Sequence, residues 1–338
     1  MVLDSMFPKL STCLSFTASR DWLYRQSFSM AGLRSVATNF GDGTTMTCWV
    51  PKTIDPSKPT LVLIHGFGAN AMWQYGEHIR HFITHFNVYV PDLIFFGHSF
   101  TSRPERTEHF QAQCLMKLMK AHGVHRMSLV GTSYGGFVGY SMAAQFPQAV
   151  DRLVLCCAGV CFEENDMEDG LFAVSNVDEA FSILLPQTPD KLRELVKLTH
   201  WRPTMHVPSY FLEDFIQVMC SSYIKEKKEL VEAILQDRQL SNLPKITHLV
   251  HVLYQPTLIV WGEHDRIFPL ELGYRLKGYI GESAEIAVIK NAGHGVILEE
   301  PKEFARHLKS FLIDTQSTSL SSQLTLREKI QKRFDFSK

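Results

Sequence analysis

Short, nearly unbroken apolar runs set the pattern of this chain, with longer amphipathic stretches between them. Thr60–Ile64, Asn87–Val90, Arg126–Val130, Arg152–Cys157, Pro256–Gly262 and Ala284–Ile289 are each too short for a helix, and predict strands buried on both faces, as in a parallel sheet. Between them the period lengthens. Phe110, Cys114, Leu115, Leu118 and Met119 recur at helical spacing within Glu108–His122, and a second helix is predicted from Gly136 towards Phe146. Alternating strands and helices make the fold class α/β, with a mostly parallel central sheet flanked by helices. The alternation stops at Gly159. From Val160 to Leu243 only helical spacings follow, such as Leu192, Leu195, Val196 and then Phe211, Phe215, Val218, Met219, cut into separate helices by Pro186, Pro189, Pro203 and Pro208. Four segments result: an N-terminal extension (1–43), a core (44–159 and 244–314), a helical insert after the strand Arg152–Cys157 (160–243) and a C-terminal tail (315–338).

Chemistry enters at the ends of the strands. Gly131-Thr132-Ser133-Tyr134-Gly135 spells G-x-S-x-G directly after an apolar run, the pattern of a sharp strand-to-helix turn that presents one serine. A serine at its ordinary pKa is a weak nucleophile and needs an imidazole to take its proton and a carboxylate to orient that imidazole. Asp265 follows the strand Pro256–Gly262, and His294, flanked by Gly293 and Gly295, follows Ala284–Ile289. Ser133, His294 and Asp265 are therefore the expected nucleophile, base and acid, with Glu263 the next choice for the acid. His264, His248 and His251 read as structural or surface histidines. An acyl-transfer site also needs donors for a developing oxyanion. The backbone N–H of Tyr134 supplies one, and that of Phe67, in the turn His65-Gly66-Phe67-Gly68 after the first parallel strand, supplies the other.

These four features, with Pro91-Asp92-Leu93-Ile94-Phe95-Phe96-Gly97-His98-Ser99, resemble the α/β-hydrolase-fold superfamily from about Thr44 to Leu312. Within it the chain is most similar to plant α/β-hydrolases related to monoacylglycerol lipases, carboxylesterases and epoxide-hydrolase-like proteins. Epoxide hydrolases and haloalkane dehalogenases of this fold use an aspartate nucleophile, which Ser133 disfavours. The resemblance implies that the insert, which follows the sixth strand in that family's count, is a cap or lid, and that the protein is a serine hydrolase of carboxylic esters, such as a monoacylglycerol. Carbon–carbon bond hydrolysis with the same three residues, and a hormone-receptor-like use of the site, remain open. An acyltransferase is less favoured, because Glu299 stands where a downstream aspartate would complete an H-x-x-x-x-D box. Apolar and aromatic residues of the insert, Phe172, Phe181, Trp201, Met205, Tyr210 and Phe211, are candidates for a substrate channel.

Composition narrows the partners. With 34 basic against 35 acidic residues no global field points to nucleic acid, so a small neutral acyl substrate is expected. The 7 cysteines lack C-x-x-C spacing and fit reduced thiols in a cytoplasmic protein better than disulfides. No metal cluster or phosphate-binding glycine loop is present, so no cofactor is expected. No apolar run is long enough to span a membrane, although peripheral lipid contact stays open, and the protein is expected to be a monomer or weak dimer. The Ser-rich first forty residues, with Arg20, Arg25, Arg34, Trp22 and Phe28, read as an element packed on the core in preference to a targeting segment. The polar Ser317–Ser322 precedes a basic amphipathic stretch, Leu324–Phe336, that predicts a helix.

Overall fold

A computed structural model describes residues 15–163, 166, 176–203, 206–240, 253 and 255–314. Phe172, Met205, His248, His251, the Leu243 boundary and the C-terminal tail lie outside them. Nine strands are described: Leu33–Asn39, Thr44–Pro51, Thr60–Ile64, Asn87–Pro91, Phe100–Thr101, Met127–Thr132, Val150–Cys156, Thr257–Gly262 and Ala284–Ile289, here β1 to β9. They form one sheet in the order β1-β2-β4-β3-β6-β7-β8-β9, with β5 paired to β2. β1, β2 and β4 pair antiparallel, and every pair from β4 through β3 to β9 is parallel.

The sheet starts earlier than the apolar runs indicate. β1 lies inside the stretch expected as an extension and pairs with β2 from Leu33↔Pro51 to Asn39↔Thr45. Only Leu33 of this strand is buried, because it is an edge strand facing water, so Leu33–Asn39 carries no apolar run to announce it.

Successive side chains of a strand point to opposite faces, and here both faces are covered. Val62, Ile64, Leu129, Leu153, Leu155, Ile259 and Trp261 enter one core. Leu61, Leu63, Val130, Val154, Leu258 and Val260 enter the other. The helices are α1 (Phe16–Met30), α2 (Ala71–Tyr75), α3 (Glu108–Ala121), α4 (Tyr134–Gln145), α5 (Val177–Leu184), α6 (Pro189–Thr199), α7 (Ser209–Phe215), α8 (Ile224–Leu240), α9 (Leu270–Ile280), α10 (Val296–Glu299) and α11 (Pro301–Lys309). α3, α4 and α9 pack on the first face, and α1, α2 and α11 on the second. Local chemistry starts them where the sequence indicates. The Thr107 hydroxyl accepts from Phe110 N at 3.2 Å to cap α3, and Thr188 caps α6, whose first residue is Pro189.

α5 to α8 fall between β7 and β8, after the sixth full-length strand. The segment from α5 to α7 has a small core of Leu185, Leu192, Leu212, Ile216 and Cys220, whereas α8 packs through Leu230 on the core of the sheet's first face. α1 is bound to both parts. Trp73 Nε1 donates to Asp21 at 3.1 Å on the core side. Thr17 N donates to Asp214 at 2.7 Å, and the Phe16 and Phe211 rings meet edge to face at 5.5 Å, on the insert side. The six described cysteines are all free and buried. No described helix is long and apolar enough to cross a membrane.

Candidate active site

Sheet order locates the site. The chain leaves β3 for β4 on one side and returns to β6 on the other, and ligands bind at such a switch point, beyond the carboxyl ends of the two strands. Gly66–Phe67 follows β3 there and Ser133 follows β6. Ser133 holds φ 52° and ψ −121°, in a region that L-residues rarely adopt. Its neighbours leave no alternative path. A Cβ at Gly131 would lie 2.3 Å from Gly135 O, and one at Gly135 would lie 2.3 Å from Ile64 O. Only glycine permits both approaches. Ser133 N donates to Cys156 O at 2.8 Å, and Gly136 N to Ser133 O at 2.8 Å, which fixes the turn.

The structure brings the three expected side chains together. His294 Nε2 lies 2.9 Å from Ser133 Oγ, and His294 Nδ1 lies 2.8 Å from Asp265 Oδ2. Asp265 is 6% exposed, and its other oxygen accepts from Ile267 N at 2.8 Å and Phe268 N at 2.9 Å. With its carboxylate locked from behind, Asp265 can orient the imidazole only one way. Glu263, the alternative acid, points elsewhere and accepts from Asn291 N at 3.2 Å. His264 stacks on Trp201 with ring centroids 3.6 Å apart.

Sequence reasoning passed over Glu299 as a support for this loop. One carboxylate oxygen accepts from Gly293 N at 2.6 Å, beside His294, and the other accepts from Trp201 N at 2.8 Å in the insert. Gly295 N adds a bond to Thr199 O at 2.6 Å. The His294 loop is thus clamped to the α6–α7 corner. Glu299→Ala is expected to lower kcat by about 10- to 100-fold through misplacement of His294. Gln, with one acceptor oxygen in place of two, should recover part of that loss in steady-state assays with a short ester.

On the opposite side of Ser133 the turn after β3 comes close. A Cβ at Gly66 would sit 3.1 Å from Ser133 Cβ, and Gly66 N is held by Gln74 Oε1 at 2.9 Å. Behind it, Leu93 N donates to His65 Nε2 at 3.0 Å, so Nδ1 must carry the proton it gives to Gly66 O at 2.7 Å. Burial pushes the His65 imidazole down to about 4 and keeps this neutral tautomer. His65 is therefore a brace for the turn. Tyr134 opens α4, so its N–H has no intrahelical acceptor.

Residues 59–301 match the family model of the α/β-hydrolase fold. The chain belongs to the α/β-hydrolase-fold family. Monoacylglycerol lipase ABHD6 of Bos taurus is 28% identical over 284 residues, covering 79% of this chain and 79% of that protein. The 2-hydroxy-6-oxo-2,4-heptadienoate hydrolase of Pseudomonas putida is 30% identical over 268 residues, covering 75% and 88%. The structure of a 2-hydroxy-6-oxo-6-phenylhexa-2,4-dienoate hydrolase from Rhodococcus shares the fold, with a TM-score of 0.68 at 20% identity over 83% of this chain and 99% of that one. This α/β-hydrolase is accordingly an enzyme of the hydrolase class.

In this α/β-hydrolase Ser133 opens on a cavity of about 80 Å³ between sheet and insert. Phe67, Tyr134, Phe137 and Phe268 line it from the core, and Ala180, Ile183, Leu198, Val231 and Ile234 from the insert. Its wall is almost wholly apolar. The aromatic residues expected there are placed otherwise. Phe181 packs in the insert's own core, Trp201 covers His264, and Tyr210 and Phe211 face outward at 55% and 38% exposure. The helix register decides this: α5 turns Ala180, Ile183 and Leu184 to the cavity, which leaves Phe181 on its other side.

One group of metal-capable donors occurs among the described residues. Ligand atoms of Cys157, Asp265 and His294 lie within 4.8 Å of one another. Asp265 and His294 are already bonded to each other, and burial pushes the Cys157 thiol well above its ordinary value. The protonated thiol packs behind the acid.

Proposed function

We propose that the protein is a serine hydrolase that cleaves carboxylic esters of apolar acyl groups through an acyl-enzyme on Ser133, with α5 to α8 acting as its cap. The unbroken chain from Asp265 through His294 to Ser133, ending at an apolar cavity, carries this reading. His294 Nε2 takes the Ser133 proton as Oγ attacks the carbonyl carbon. Negative charge that develops on the carbonyl oxygen is met by the N–H groups of Tyr134 and Phe67. The imidazolium, steadied by Asp265, then gives its proton to the departing alcohol. Water, deprotonated by His294, releases the acid and restores the serine.

The relative described as a monoacylglycerol lipase supports an ester substrate. A second reading, hydrolysis of an oxo-dienoate, is favoured by the Pseudomonas relative and by Arg266, a cation on the cavity wall. Chain-length series of p-nitrophenyl esters separate the two. Medium acyl chains are expected to react faster than acetate, because each buried methylene adds about 0.8 kcal/mol, and a fluorophosphonate should label Ser133 on peptide mapping. Labelling at Ser133 without ester turnover would transfer the assignment to the second reading.

A further inference from the structure

A second cavity, of about 180 Å³, has a far more polar wall than the one at Ser133. Lys227 of α8 contributes to it and is 3% exposed. Among the described residues no carboxylate or hydrogen-bond acceptor meets its ammonium. It lies over the face of the Phe96 ring, at 5.2 Å, with the protonated Cys220 thiol and the neutral His65 imidazole nearby. Burying an ammonium without an anion is costly, and burial holds the Lys227 pKa below its ordinary value. A second orphan belongs to the same wall: Thr47 lines the cavity, and its Oγ1 is buried without a partner.

The other polar groups of the wall are already committed in ways that leave donors free. Asn70 Oδ1 accepts from Trp73 N at 3.0 Å as the cap of α2, and its amide N–H₂ donates weakly to Met219 Sδ at 3.9 Å on the cavity wall, with a second N–H to spare. Asp21 is paired with Arg25 at 2.7 Å. Asp92 accepts from Ala71 N at 3.0 Å, and burial raises its carboxyl to about 7, so a second anion nearby would keep it protonated. Ser35, Ser222 and His98 complete the polar part of the wall.

The position relative to Ser133 gives this site its meaning. Lys227, Val231 and Ile234 are spaced i, i+4 and i+7 on α8, and the last two line the apolar cavity. One face of α8 therefore runs from the acyl cavity to the ammonium, with about 6 Å of helix rise between Lys227 and Val231. Phe96, which Lys227 covers, meets Phe67 at 5.1 Å and Tyr134 at 6.3 Å.

We propose that this second cavity is the leaving-group subsite of the ester hydrolase, and that it takes an alcohol bearing a phosphate monoester, which Lys227 and the Asn70 amide hold. The inference rests on the ester-hydrolase reading above and narrows its substrate class from a neutral ester to an anionic one. A tetrahedral phosphate offers enough acceptor oxygens for the three donors of an ammonium and its neighbours together.

The test compares a 1-acylglycerol with the 1-acylglycerol 3-phosphate of the same acyl chain, both below their aggregation concentrations. Wild type is expected to show a kcat/KM about tenfold or more higher for the phosphate ester. Lys227→Met should abolish that preference and Lys227→Arg restore part of it, and the Tm of Lys227→Met should equal or exceed that of wild type, since an unpaired buried charge is removed. Equal rates on the two wild-type substrates, or an unchanged ratio in Lys227→Met, would overturn the proposal. A second arm is independent of turnover. Calorimetry of the full chain carrying Ser133→Ala should show glycerol 3-phosphate binding that Lys227→Met removes. Absence of that binding, or inorganic phosphate binding as tightly as glycerol 3-phosphate, would overturn the leaving-group assignment. Binding in this arm beside a wild type that cleaves neither ester would leave the subsite standing and refute the ester reading alone.

Discussion

Ser133→Ala and His294→Ala are each expected to lower kcat on a p-nitrophenyl ester by about 10⁴- to 10⁶-fold. The double variant should lose no more than the worse of the two. The reason is that the 2.9 Å contact between His294 Nε2 and Ser133 Oγ is one device: without the imidazole the hydroxyl keeps its proton, and without the hydroxyl the imidazole has nothing to activate. The residual rate would come from the N–H groups of Phe67 and Tyr134 and from substrate positioning, neither of which either substitution touches. Both variants should keep the wild-type circular dichroism spectrum. Single losses that multiply in the double variant would show that the two residues act separately.

The second large effect is at Asp265. Asp265→Asn is expected to reduce kcat by about 10⁴-fold with little change in KM. The amide oxygen can keep the bonds from Ile267 N and Phe268 N, so the side chain stays in place and the Tm should move little. What changes is the group facing His294 Nδ1: an N–H₂ in place of an oxygen. The imidazole then has to accept at Nδ1 and carry its proton on Nε2, where it cannot take the one from Ser133. A fall of less than tenfold, measured with the fold intact, would move the orienting function to another carboxylate, and Glu263 would be the first to test.

The parts of this protein that were legible in the sequence are those whose physics is local. β3, β4, β6, β7 and β8 lie inside the sheet with both faces covered, so each is an apolar run by necessity, and β9, the far edge strand, still buries Ala284, Ala287 and Ile289. The Gly131–Gly135 turn is equally legible, because close backbone approach admits no other residue. β1 was missed, since a solvated edge strand needs only Leu33 to be apolar. Residues that act across long sequence distances were missed for a different reason. Glu299 and Trp201, or His65 and Leu93, meet only after the sheet has formed, and no spacing encodes their contact. Cavity lining failed in detail for the same cause: helical period identifies the apolar face of α5, but which side of that face meets the sheet depends on how the insert docks.

The left-handed backbone at Ser133 carries a consequence for the history of such a chain. A residue held at φ 52° costs on the order of 1–3 kcal/mol unless it is glycine. On the reading proposed above, selection for turnover is the force that keeps a serine there, against a standing gain in stability available from Ser133→Gly. A lineage that ceased to need the reaction would be released from that cost first at this position, so on that reading position 133 records whether the chain is still under selection as a catalyst.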